Sequence, residues 1–149
     1  MLLFYAADQT IPKSAATPQP WPAATCPSSA KGELIPFEQV PLEVLADLRR
    51  VDPKISPPGG PFNPSDVIDG TTPGTRIIAV MRLGDRLAAA YEKGGRGYSV
   101  TVVTYVQDPA TKHLVASGLH TLSGRDTPRG WVKDEDACAA MVRALSAGG

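Results

Sequence analysis

Thirteen of the fifteen prolines fall within residues 1–73, and that partition decides where this chain can form a sheet. Proline fixes φ and has no N–H to give to a ladder, so a proline-rich stretch is confined to extended arms, turns and helix starts. From Arg76 to Leu122 there is one proline, Pro109, and β-branched residues dominate. Regular sheet is therefore expected only in the second half.

In the first half, residues 8–36 read as an extended, partly polyproline-like arm. The stretch Pro18-Gln19-Pro20-Trp21-Pro22 has two readings, a recognition segment or an anchor of the arm on its own domain, and the anchor is favoured. Residues 1–7 form a short apolar run without a basic leader. They read either as the tail of a longer signal segment or as an ordinary apolar start. One helix is expected over Pro41–Val51, with Leu42, Leu45, Leu48 and Val51 at steps of three and Val44 one turn before Leu48. Pro41 suits the first turn and Asp52-Pro53 the stop. Residues 53–75 then form a long loop, of the kind that is either functional or poorly ordered. The division expected is an arm over 1–36 and a single domain over 37–149.

The second half predicts four strands: Arg76–Leu83, apolar on both faces and hence central; Arg86–Lys93, whose three alanines also allow a short helix; Tyr98–Gln107; and Lys112–Leu122. Gly84-Asp85, Gly94–Gly97 and Asp108–Thr111 are the turns between them, short enough to make the strands an antiparallel meander. A helix follows from Asp134, with acidic residues in its first turn and Ala137, Cys138, Met141 and Leu145 as its apolar stripe. The fold class expected is α+β: a four-stranded antiparallel meander packed against one N-terminal and one C-terminal helix, preceded by the proline-rich arm. In outline this order is similar to small cystatin-like and inhibitor-like modules, a likeness of shape that carries no function.

Cys26 and Cys138 are the two cysteines, one in the arm and one in the last helix. A bridge between them would enclose most of the chain and stabilise it by roughly 4–5 kcal/mol in the chain-entropy model. Such a bond persists in an oxidising compartment, so the expected location is periplasmic or secreted. Fifteen basic side chains balance fifteen acidic ones, which leaves no overall field to hold nucleic acid. No stretch approaches the ~20 apolar residues of a membrane helix, so no membrane span is expected.

Catalytic constellations are thin. His113 and His120 are both assigned to the fourth strand, where an odd offset points them to opposite faces unless a bulge at Gly118 intervenes. The cysteines lack C-x-x-C or zinc-ligand spacing, and the serines offer no nucleophile elbow. Gly94-Gly95-Arg96-Gly97 is followed by a strand rather than the helix a phosphate loop needs, so it reads as a hairpin turn. Asp66 and Asp69 lack the alternating ligands and closing Glu of a calcium loop. No cofactor or metal is expected.

These readings favour a small exported binding protein, such as an inhibitor, an immunity protein or an accessory subunit, over an enzyme. Its partner would be another protein or an envelope component. Candidate contacts are Arg125, Arg129 and Trp131, cations around an indole, together with a strand face carrying Ser99, Thr101, Val103 and Tyr105; the 53–75 loop is the other candidate surface. The alternative is a small enzyme or ligand carrier with a pocket between sheet and helices, lined by Tyr91, Tyr105 and His120. A third reading is a periplasmic domain tethered through its arm.

Overall fold

The computed structural model describes Cys26, residues 31–123, Val132 and residues 134–148. Its elements are β1 (Glu33–Leu34), a single 3-10 turn (Phe37–Gln39), α1 (Leu42–Val51), β2 (Thr75–Leu83), β3 (Arg86–Lys93), β4 (Ser99–Gln107), β5 (Leu114–Ser123) and α2 (Asp134–Ser146). The strands make one antiparallel sheet in the order β1-β2-β3-β4-β5. The fold is α+β, with five strands among the described residues rather than four. The arm expected over 1–36 lies mostly outside the described residues.

The extra strand is two residues long and sits where the sequence reads as polyproline-like arm. Glu33 and Leu34 pair with Arg82 and Met81, and the Ile35 amide donates to the Val80 carbonyl at 2.9 Å. Gly32 makes the approach possible, since a Cβ there would collide with the Met81 side chain. Pro36 then ends the pairing. Extended arm and edge strand share a backbone conformation, so only the neighbouring strand distinguishes them.

The two helices lie on opposite faces of the sheet. Against α2 pack Ile78, Ala79, Met81, Ala88, Ala90, Val100 and Val102; with α1 go Ile77, Val80, Leu87, Ala89, Tyr91, Val103 and Tyr105. The three alanines of β3 are fully buried and leave room for a helix on either side. β2 carries a bulge between Ile77 and Ala79, so Ile78 and Ala79 face the same cluster before alternation resumes. The face carrying Thr101, Val103 and Tyr105, expected to be open to a partner, is instead packed on the α1 side, and all three residues are buried.

Helix α2 buries its expected stripe, Ala137, Cys138, Met141 and Leu145. In α1 the stripe differs from expectation. Val44 and Leu48 are buried completely, Leu45 is half-buried, and Leu42 and Val51 are exposed. Steps of three fall about 60° short of a full turn each time, so Leu42 and Val51 end up on opposite flanks of the face that meets the sheet. β5 starts two residues later than expected. The turn before it holds Lys112 in the left-handed region (φ 62°), its amide donating to the Asp108 carbonyl at 2.8 Å.

Candidate interaction loop

The long connection from α1 to β2 is anchored at its base. Ser56 lies alongside β2: its amide donates to the Thr75 carbonyl at 3.0 Å, and its own carbonyl accepts from the Ile77 amide at 2.8 Å. The Ser56 hydroxyl donates to the Pro61 carbonyl at 2.6 Å and holds the first bend. Further along, the Asn63 amide reaches Pro73, Gly94 reaches Gly74 and Gly95 reaches Pro64, all at 2.9–3.1 Å. The β3–β4 turn thus clasps both limbs of the loop. Gly94 is required there, because a Cβ would run into the Asn63 carbonyl oxygen.

Arg76 and Glu92 form the brace between loop and sheet. They are register partners on β2 and β3. The guanidinium places Nε 2.7 Å and one Nη 2.6 Å from Glu92 Oε1, and Tyr98 donates to Oε2 at 2.8 Å. Glu92 is buried, and a buried carboxylate persists only when paired and hydrogen-bonded. The same guanidinium lies 4.8 Å from the centroid of the Phe62 ring and donates to the Gly60 carbonyl at 3.3 Å. One cation therefore satisfies a buried acid and pins the root of the loop.

The tip is shaped by its own short polar side chains. The Asn63 side-chain Nδ2 donates to the Val67 carbonyl at 2.6 Å, while its Oδ1 accepts from the Ser65 amide and hydroxyl at 3.0 and 2.7 Å. Asp69 Oδ1 accepts from the amides of Thr72 and Thr71 at 2.7 and 2.9 Å and from the Thr71 hydroxyl. These bonds, that from the Thr72 amide foremost, pull the Asp69 carboxyl down to about 2. Between the two polar turns stand Val67 and Ile68, 72% and 92% exposed. Beside them is an open cleft of about 460 Å³, where Arg96 reaches Asp66 at 3.5 Å.

The other expected site residues are dispersed. Tyr105 is buried and its hydroxyl donates to Asp47 Oδ2 at 2.8 Å, so it ties β4 to α1 instead of meeting a partner. Burial, with the Asp47 carboxylate beside it, pushes the phenol well above its ordinary range. Arg125, Arg129 and Trp131 lie outside the described residues. Tyr91 packs with Tyr105 on the α1 side, whereas His120 is exposed and pairs across strands with Val102 of the α2 side, so these three line no common pocket. A bulge does fall beside Gly118, leaving Ser117 unmatched, yet it does not unite the histidines. His113 precedes the strand and its Nδ1 lies 3.0 Å from Glu43 Oε1, a bond that lowers the Glu43 carboxyl. Among the described residues no group of three metal-ligating side chains gathers.

Cys26 and Cys138 are brought to disulfide distance, with Cα atoms 5.5 Å apart. Among the described residues no helix is long and apolar enough to cross a membrane. The brace was missed in the sequence, although a Glu inside an otherwise apolar strand is a signal that a cation must lie nearby. Comparison with known proteins finds no matching family model, no similar curated protein and no similar solved structure.

Proposed function

We propose that this chain is a small binding protein of an oxidising compartment, periplasmic or extracellular, and that residues 62–72 form its contact with another protein. The observation that carries the reading is the outward presentation of Val67 and Ile68 on a loop whose shape is fixed from within. Exposed aliphatic side chains in water gain most by meeting a partner, and a pre-shaped loop loses little conformational entropy when they do. Inhibitors and immunity proteins bind through such rigid projecting loops, which makes that class the leading one. The cysteine pair supports the compartment. The rival reading, a small enzyme or carrier, draws on tyrosines that serve packing and on a histidine from the other face.

The test is site-specific photo-cross-linking in the producing cells, with a photoreactive residue at position 68 and, for comparison, at exposed Lys54. One discrete adduct from position 68, absent from position 54 and lost on Val67→Asp, is expected. Equal labelling at both positions, or none at either, would overturn the loop as the contact. Intact mass after alkylation without reductant tests the compartment: no alkylation and a mass two hydrogens below the reduced chain are expected, and two alkylated thiols would point to the cytosol.

A further inference from the structure

The two outer edges of the sheet are treated differently. On one side β2 is covered by β1, by the Ile35 amide and by Ser56, and the covering strand is two residues long and stopped by Pro36. On the other side β5 runs ten residues, and among the described residues no strand pairs with its outer edge. An antiparallel strand turns every second N–H and C=O away from its neighbour, and over Leu114–Leu122 those outward groups of β5 meet no strand among the described residues. Soluble proteins usually blunt such an edge with lysine, proline or brevity. From Leu114 to Ser123 there is no proline and no Asp, Glu, Lys or Arg. Leu119, 70% exposed, stands in the middle with Val115 also exposed.

We propose that two copies of this chain pair antiparallel through β5 about a two-fold axis, joining their sheets into one. The bulge at Ser117 interrupts the ladder, which leaves Gly118–Leu122 as the regular segment for pairing. With the axis at His120, Leu119 of each copy lies across from Thr121 of the other, an aliphatic against the methyl of a β-branched residue. A second copy is the occupant that the charges favour. Self-pairing of a charged edge sets like charges opposite each other, and this edge has no Asp, Glu, Lys or Arg to oppose. The whole chain is also formally neutral, so two copies approach without net repulsion. The chain's own N-terminal arm suits the edge less well, since prolines at 12, 18, 20 and 22 remove the donors a ladder needs.

Sedimentation of the full chain from about 1 µM to 1 mM tests this. A concentration-dependent shift from monomer to dimer mass is expected. Leu119→Lys should raise the dissociation constant about tenfold or more, because it places two cations close to the axis. Mixing Leu119→Lys with Leu119→Glu should restore a dimer between the two variants. His120→Lys, at another exposed position, serves if Leu119→Lys loses its native circular dichroism. A wild-type monomer across the whole range overturns the proposal. So does a dimer that ignores both lysine variants, or one that disappears only when residues 1–20 are removed, which would mean exchange of the arm instead.

Discussion

The body of this protein and its long loop are held together by different forces. In the body, two helices press apolar stripes onto the two faces of a sheet, and half-buried Cys26 reaches Cys138 of the α2-side cluster. In the loop, tip and root are shaped by short polar side chains and one arginine, while its aliphatic residues point to solvent. Apolar packing is non-directional and cooperative, so damage there is felt everywhere. Hydrogen-bonded turns are directional and local, so damage there changes a shape without unfolding the chain. The contrast separates what keeps the protein folded from what it presents to others.

The largest expected effect attacks the body. Reducing the cysteines, or replacing Cys26 by Ser, should remove about 4–5 kcal/mol in the chain-entropy model, and thermal unfolding should begin some ten degrees lower. An unchanged melting curve would mean the body relies on packing alone. Next comes the joint between the two regions. Arg76→Met strands the buried Glu92 carboxylate, an expected loss of about 3–5 kcal/mol by chemical denaturation. The double variant Arg76→Met, Glu92→Met should regain much of it, and failure to do so would show that Arg76 acts mainly through Phe62 and Gly60.

Tyr105→Phe should cost about 1.5–3 kcal/mol, the net worth of one hydrogen bond to a charged acceptor. A loss near zero would mean that water serves Asp47 equally well. The smallest effect belongs to the tip. Asp69 has its folded carboxyl lowered from 3.8 to about 2, so its contribution is complete above the unfolded value and fades as pH falls through about 2. Amide resonances of Thr71 and Thr72 should therefore titrate near pH 2 while the body's amides hold. Titration near pH 4 would mean the tip is not shaped by Asp69.

Much of the body could be read from residue order alone, because its signals are local. Proline density marked where the regular sheet begins. The alternation of β4, the turns at Gly84-Asp85 and Gly94–Gly97, and the Ala137-Cys138-Met141-Leu145 stripe each operate within a few residues. The cysteine pair was the one long-range inference, and its uniqueness left a single intramolecular pairing. What escaped was decided by neighbours distant in sequence. Glu33-Leu34 became a strand because β2 lay beside it, and the Val103–Tyr105 face is covered because Ile35, Val40, Val44 and Leu48 all pack onto that side of the sheet. Val67 and Ile68 drew no attention as a pair, since two aliphatic residues in a loop look the same whether they tuck in or stand out.

The bulge at Ile78 works as a shift of phase along one strand. From Leu83 back to Ala79, β2 keeps step with β3 as the two-residue turn dictates; below the bulge it runs one residue out of step. Carried down unshifted, the upper register would bring Arg76 opposite Lys93, two cations in contact. The slipped register gives it Glu92 instead. Because Ile78 bulges out of the ladder instead of pairing, the repulsive pair is avoided and the ion pair on which the loop is hung is kept. A chain lacking Ile78 would need no bulge: Ile77 would follow Ala79 in step and meet Tyr91, and Arg76 would still face Glu92. The extra residue therefore adds an apolar side chain to the α2 face without undoing the fastening.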